Sequence, residues 1–143
     1  MKKMICFVLA VLVMVFSSVS VFAGAAGVQS ELISVQPRYT IINTIAAGLA
    51  IDSSGKATCS GRLVSGSSGS DCYISIELQQ KSNNQWNTIK TWTASKLNAS
   101  SVSLEKNYYV VHGTYRVKLT GTIENSELGV EETAVKYSKT VEY

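Results

Sequence analysis

The sequence predicts an all-β fold, an antiparallel β-sandwich of about seven strands, and three observations indicate this class. Apolar and polar residues alternate with a period of two through most of the chain beyond Pro37, as expected for strands with one buried face. Clusters of Gly, Ser, Asn and Asp interrupt the alternation about every 8–12 residues, which is the turn spacing of sandwiches. The 3.6-residue apolar period typical of an amphipathic helix is missing there.

The first 23 residues have the three parts of a secretory signal peptide. Two lysines supply the positive start, an apolar run of 12 residues extends from Ile5 to Phe16, and small residues lead to cleavage after Ala23 or Ala25. The run is shorter than the roughly 20 apolar residues of a transmembrane helix. An uncleaved anchor is the alternative, but we expect a secreted, extracellular protein with no membrane attachment in its mature form.

The remaining chain is expected to form one domain. Residues 24–36 are small and polar and predict a flexible lead-in. Residues 37–143 then form the β-sandwich, because 143 residues suffice for one domain and not for two. Two of the 13 lysine and arginine residues lie in the leader, so the net charge falls from +3 to near +1. This balance excludes the basic footprint of a nucleic-acid-binding protein.

The first two strands are expected to begin near residues 44 and 56. Apolar residues alternate through 45–51, and the cluster Asp-Ser-Ser-Gly at 52–55 predicts a turn. Alternation resumes through 57–63, and residues 65–70 form a loop with no side chain larger than serine.

The next three strands are expected to begin near residues 71, 85 and 100. Residues 72–78 alternate, and the turn at 82–84 leads to a Thr- and Trp-rich strand at 86–93. Val102 and Leu104 mark a short fifth strand.

The last two strands are expected to begin near residues 114 and 130. Residues 115–123 show the clearest alternation in the chain, and residues 125–129 form a turn. Alternating residues from 133 to 141 predict one final strand.

Tyr115 opens the sixth strand two residues after Gly113. This arrangement resembles the tyrosine corner of immunoglobulin-like domains, in which the phenol hydroxyl binds backbone groups of the loop that joins the two sheets. We therefore expect an immunoglobulin-like arrangement of the strands. A role for Tyr115 as an ordinary core aromatic is the alternative.

Cys59 and Cys72 are the two cysteines that remain beyond the leader, since Cys6 lies in its apolar run. In an exported chain such a pair most simply forms one disulfide, and both cysteines fall on apolar faces of their strands. Closing a loop of about 15 residues would contribute roughly 3 kcal/mol in the chain-entropy model. A metal pair or a reactive thiol is the alternative, and the sequence leaves open whether the two lie at one height.

Trp86 and Trp92 form the candidate ligand face. They share strand parity, and Ile89 has the opposite parity, so an inward Ile89 would turn both indoles outward. The rings would then lie about 20 Å apart and could stack on the sugars of an extended glycan. The alternatives are that they cover the sheet edge or that a β-bulge turns one inward.

Candidates for catalysis are few. The sole histidine, His112, precedes a glycine in a turn, without a serine elbow or an Asp–His pairing, and reads as a solvated loop residue. The carboxylates are spread over many turns, whereas a glycosidase requires two about 5–10 Å apart across a cleft. Segment 52–55 resembles the start of a calcium loop but lacks the further acidic ligands, which favours an ordinary turn. We therefore expect a protein that is not an enzyme, with no catalytic residue, metal or cofactor.

Several segments together resemble a known family. They are Val35-Gln36-Pro37-Arg38-Tyr39, Leu49-Ala50-Ile51-Asp52-Ser53-Ser54-Gly55, Ala57-Thr58-Cys59-Ser60-Gly61, Trp86-Asn87-Thr88-Ile89-Lys90-Thr91-Trp92 and Tyr115-Arg116-Val117. In these segments the chain resembles a family of small secreted immunoglobulin-like β-sandwich proteins of Gram-positive Firmicutes, chiefly clostridia. The resemblance covers about residues 35–138. It implies a signal peptide, one sandwich and a cysteine pair, and it transfers no catalytic or binding residue.

The function expected from the sequence is binding rather than catalysis. The partner would be a cell-surface or environmental glycan, or another protein. The alternative is a structural protein of an extracellular matrix or coat that associates with itself through sheet edges.

Overall fold

A computed structural model describes residues 39–143 of the chain. This region has no helix, and so none long and apolar enough to cross a membrane. The strands are β1 (Ile42–Ile51), β2 (Lys56–Ser65), β3 (Asp71–Ser82), β4 (Gln85–Lys96), β5 (Ser101–Tyr109), β6 (Thr114–Asn125), β7 (Val130–Tyr137) and β8 (Val141–Glu142). The predicted signal peptide (1–23) and lead-in (24–36) lie outside the described residues.

The strands form two antiparallel sheets. One has the order β1-β2-β5, and the other has the order β4-β3-β6-β7 with the short β8 also beside β6. The inward side chains of both sheets share one core, as in a β-sandwich. Its buried members are Ile41, Ile42, Ala57, Cys59, Leu63, Cys72, Ile74, Ile76, Leu78, Val102, Tyr115, Val117, Leu119, Ile123 and Ala134. The predicted all-β class is confirmed, and each predicted strand start lies within two residues of an observed one.

The predicted last strand is interrupted at Ser138. Its amide donates to the Val117 carbonyl at 2.9 Å, but its hydroxyl, not its carbonyl, accepts from the Val117 amide at 2.9 Å. The pairing with β6 then resumes one residue out of step, with Val141 opposite Tyr115. A serine side chain that replaces a backbone acceptor thus divides the strand into β7 and β8.

Two tight turns fix the register of the hairpins. Asn83 and Asn84 both have positive φ, 50° and 63°, as a two-residue type I′ turn requires between β3 and β4. Between β1 and β2, the Gly55 amide donates to the Asp52 carbonyl, and Gly55 has a φ of 78°. Both turns were predicted from the sequence, and both are confirmed.

The two sheets approach closely at two glycines. A Cβ at Gly61 of β2 would lie 2.8 Å from a Leu119 methyl and 2.9 Å from an Ile76 methyl. A Cβ at Gly121 of β6 would lie 3.0 Å from a Leu63 methyl. Each glycine therefore leaves room for large aliphatic side chains of the facing sheet, which lets the layers interlock.

Tyr115 anchors the loop that crosses from one sheet to the other. Its ring is 1% exposed, and its hydroxyl donates to the Val111 carbonyl at 2.8 Å. The predicted hydrogen bond from this phenol to the preceding loop is therefore confirmed. Burial raises the pKa of Tyr115, which keeps the hydroxyl protonated as a donor.

The glycine-serine loop at 65–70 is closed by buried polar groups. The hydroxyls of Ser65 and Ser70 lie 3.1 Å apart, and Asn125 donates to Ser70 Oγ at 3.2 Å and to the Ser68 carbonyl at 3.1 Å. The small side chains therefore allow a tight, hydrogen-bonded closure, which the sequence pattern did not indicate.

Cys59 and Cys72 do not form the predicted disulfide, because they lie at different heights in the sandwich. The hydroxyls of Ser65 and Ser70 are 3.1 Å apart, so these two serines mark the same level in the two sheets. Cys59 lies six residues before Ser65, whereas Cys72 lies only two residues after Ser70. At about 3.3 Å per residue the cysteines differ in height by about 13 Å, whereas a disulfide requires Cα atoms within about 7 Å. Both are buried free thiols, and Cys72 Sγ donates to the Ala99 carbonyl at 3.3 Å.

Candidate functional site

The two tryptophans of β4 lie on opposite faces of their sheet. The pairing of β3 with β4 shifts by one residue between Leu78 and Gln79, which leaves Ile89 as a bulged residue. The extra residue reverses the parity between Trp86 and Trp92. The expectation that both indoles share an outer face is therefore wrong, and the bulge alternative is the one observed.

Trp92 is part of the interior. It lies opposite Ile76, whose side chain is fully buried, and it packs against the core. Its ring meets Tyr108 of β5 edge-on, with centroids 6.2 Å apart and planes at 71°. Trp92 thus closes the side of the sandwich where β4 approaches β5, and it is unsuited to a ligand platform.

Trp86 lies on the outer face of the five-stranded sheet, in a stack of rings and cations. The guanidinium carbon of Arg116 lies 4.2 Å from the centroid of the Trp86 ring and 4.2 Å from that of Tyr137. The Lys81 ammonium lies 5.9 Å from the Trp86 centroid. Arg116 is thus in contact with an aromatic ring from each edge strand, β4 and β7, in cation–π geometry.

Beneath this stack, a hydrogen-bond network holds the guanidinium in place. Arg116 Nε donates to Gln79 Oε1 at 2.8 Å, and Gln79 Nε2 donates to Thr88 Oγ1 at 3.2 Å. Thr88 Oγ1 donates to Glu77 at 2.8 Å, and Lys118 Nζ donates to the other oxygen of Glu77 at 3.0 Å. Gln79 is 6% exposed although it points outward, because the stack covers it.

Glu77 remains ionised within that network. Its partial burial acts to raise its pKa, but the hydrogen bonds from Lys118 and Thr88, together with the Lys118 charge, outweigh burial and hold the pKa below its usual value. The carboxylate oxygens of Glu77 are therefore occupied by hydrogen bonds from Lys118 and Thr88.

The same outer face carries a shallow groove of about 410 Å³. Its lining residues are Tyr73, Ile74, Ser75, Thr93, Ala94, Ser95, Thr120 and Thr122, of which five present a serine or threonine hydroxyl. Tyr73 supplies a phenol whose pKa is raised by desolvation and by the charges of Glu124 and Asp71, so the hydroxyl stays protonated. From Lys81 beside the stack to Tyr73 the face extends about 26 Å along β3.

The outer face of the three-stranded sheet differs. It has a shallow groove of about 370 Å³, lined mainly by small side chains, with Arg62 and Glu105 as its charged residues and no aromatic ring. The contact between a cation and two aromatic rings is thus found on the five-stranded sheet, beside the hydroxyl-lined groove.

The other residues singled out from the sequence lie apart from this face. His112 is exposed in the loop between β5 and β6, and its ring stacks on Tyr143 with centroids 4.6 Å apart. Asp52 accepts from the amide and hydroxyl of Ser54, so it stabilises a turn. Burial raises the pKa of Cys59 to about 11, which keeps this thiol protonated and unreactive. In residues 39–143 no three His, Cys, Asp or Glu side chains are grouped to hold a metal ion.

Sequence reasoning missed Arg116 and Tyr137. Arg116 lies between the inward Tyr115 and Val117 of β6, so its position on an outer face could have been assigned. Tyr137 belongs to the apolar alternation from 133 to 141, which indicates an inward side chain, whereas the buried residue of β7 is Ala134 and Tyr137 faces outward. Their meeting with Trp86 depends on the strand order β4-β3-β6-β7, in which β3 joins β4 to the pair formed by β6 and β7.

No protein-family model matches this chain, and no curated protein is significantly similar to it.

Proposed function

We propose that this chain is a secreted, non-catalytic binding module that recognises glycans with the outer face of its five-stranded sheet. The carrying observation is that one face holds both the Trp86–Arg116–Tyr137 stack and a groove lined by hydroxyl groups. Aromatic rings suit the apolar faces of sugars, and side-chain hydroxyls match sugar hydroxyls as hydrogen-bond partners.

The proposal includes an immunoglobulin-like topology. In its support, a β1-β2-β5 sheet faces a β4-β3-β6-β7 sheet, and a tyrosine at the start of β6 binds the preceding loop. The proposed secretion, and membership of the clostridial family of small secreted sandwich proteins, rest on the sequence patterns alone.

The test is retention of the purified protein by insoluble neutral glycans (cellulose, chitin and xylan) and by cell-wall sacculi. Trp86→Ala and Tyr73→Ala are each expected to weaken retention about tenfold, as the loss of an interface anchor does. Tyr109→Ala is the matched control, because Tyr109 is a 70% exposed tyrosine on the other sheet. Thermal melting would verify that all variants are folded.

Equal retention of the Trp86 and Tyr73 variants would contradict the proposed face. No retention of the folded protein by any glycan would contradict glycan binding itself. That result would favour a protein partner or self-association. β1 is an edge strand of the three-stranded sheet: within residues 39–143 no strand pairs with its outer side, and it carries no charged residue, so it could pair with a strand of another molecule.

A further inference from the structure

We propose that Arg116 binds a carboxylate group of the ligand, and that the ligand is therefore an acidic glycan containing uronic acid. This inference rests on the proposed function and adds the charge class of the glycan.

Two aromatic rings and one hydrogen bond leave the terminal amino groups of the Arg116 guanidinium available to a ligand. The ring centroids of Trp86 and Tyr137 each lie 4.2 Å from its central carbon. Within residues 39–143 the guanidinium makes one hydrogen bond, from Nε to Gln79. The N–H donors of the two terminal amino groups therefore have no hydrogen-bond partner there, and such a pair can donate two parallel hydrogen bonds to one carboxylate.

The positive charge at this end of the face has no acidic partner in the described residues. Lys118 and Glu77 form the one ion pair within residues 39–143, at 3.0 Å. Arg116 and Lys81 therefore place two positive charges beside Trp86, and neither forms an ion pair with a carboxylate in the described residues. Aromatic rings displace part of the water around the half-buried guanidinium, and this strengthens its attraction for an anion.

The position of Arg116 is fixed in advance. Gln79 holds Nε, and Gln79 is itself held by Thr88 and Glu77. A guanidinium restrained by stacking and by one hydrogen bond loses little conformational freedom when it binds a carboxylate. A long flexible lysine at this position would supply the charge without the planar pair of donors.

The rest of the face favours a sugar acid over an isolated anion. Tyr73 lies about 20 Å from the level of Arg116 along β3, because six residues separate it from Gln79, which pairs with Arg116. The hydroxyl-lined groove occupies the Tyr73 end of this span. A polymer with carboxylates and hydroxyls along its length would contact both regions at once.

The experiment compares polygalacturonate with its fully methyl-esterified form, which has the same sugar chain without the charge. Binding of the purified protein is measured by isothermal titration calorimetry at low and at physiological salt. Esterification is expected to weaken binding at least about tenfold. Arg116→Lys is expected to weaken it as much, because lysine keeps the positive charge but lacks the planar pair of N–H donors. The control is Arg62→Lys, an exposed arginine on the opposite sheet, with an expected change of less than about twofold.

The outcomes separate the two proposals. Binding of neutral glycans that depends on Trp86 and Tyr73, with no preference for polygalacturonate over its ester, would overturn the acidic-ligand inference and leave glycan binding standing. Arg62→Lys and Arg116→Lys both keep the positive charge, so unspecific charge attraction predicts unchanged binding for both variants. Unchanged binding of Arg116→Lys, or equal losses in the two variants, would also overturn the inference. So would tighter binding of dextran sulfate than of polygalacturonate, since a carboxylate would then not be the group recognised. The ester comparison requires no variant, so misfolding of Arg116→Lys would not prevent the test.

Discussion

The carboxylate of Glu132 is expected to fasten the start of β1 to the other sheet, and Glu132→Gln tests this directly. Glu132 lies on β7, and its carboxylate accepts from three successive backbone amides, those of Thr40, Ile41 and Ile42. The bonds from Ile41 and Ile42 measure 2.9 and 3.0 Å, and these two residues are 2% and 6% exposed. The contact therefore joins the first strand of one sheet to an edge strand of the other.

The expected cost follows from counting acceptors. Glutamine has one acceptor oxygen and an amino group that cannot accept, so at least one of the three amides loses its partner whichever way the side chain turns. A hydrogen bond to a charged group contributes about 1.5–3 kcal/mol, and the partial exposure of Glu132 reduces this through solvent screening. We expect a loss of about 1–2 kcal/mol in the free energy of unfolding, or roughly 0.5–1 M in the urea midpoint.

The pH dependence provides a second criterion. Desolvation acts to raise the pKa of Glu132, but the three amide hydrogen bonds outweigh it and the pKa is lowered. A lowered folded-state pKa contributes stability that is complete above the unfolded pKa, about 4.3 for glutamate. That stability is lost as the pH falls through the folded value. The difference between wild type and Glu132→Gln should therefore be largest at pH 6–7 and shrink below about pH 4.

The assay is urea unfolding followed by tryptophan fluorescence at pH 7 and at pH 3. Glu131→Gln is the matched control, because it removes the same charge from the adjacent position on the opposite face of β7. An unchanged midpoint for Glu132→Gln at pH 7 would refute the reasoning, as would a loss of equal size at both pH values or an equal loss in the control.

Two further predictions concern the core. Gly61→Ala would bring a methyl group within 3 Å of two core side chains on the facing sheet. It should lower the free energy of unfolding by about 1–3 kcal/mol, measured by urea titration. An unchanged urea midpoint would contradict this prediction, because it would mean that the two sheets move apart to admit the methyl group without loss of stability. Cys59 and Cys72, as buried free thiols, should both react with Ellman's reagent in denaturant without reductant and neither in buffer. Fewer than two thiols per denatured molecule would contradict the unpaired state.

The residue pattern alone determined where the first seven strands begin and where the turns at 52–55 and 83–84 lie. Period-two alternation is a local property, because side chains of one strand point to the two faces in turn. The turns at 52–55 and 83–84 are equally local, since asparagine and glycine tolerate the positive φ that these hairpins require. The hydrogen bond of Tyr115 was predictable for a similar reason, because its acceptor lies only four residues away.

Only the tertiary structure decided which residues of different strands lie next to one another. The bulge at Ile89 places Trp86 and Trp92 on opposite faces of the sheet. The sequence of β4 could not show this, because a bulge is defined by the pairing with a second strand. The predicted disulfide was wrong because Cys59 and Cys72 lie at different heights along their strands. Those heights are set by the loop between β2 and β3, which is closed by hydrogen bonds among Ser65, Ser70 and Asn125. The candidate site joins β3, β4, β6 and β7, and such long-range pairing comes from the packing of two sheets around one core, which no local pattern encodes.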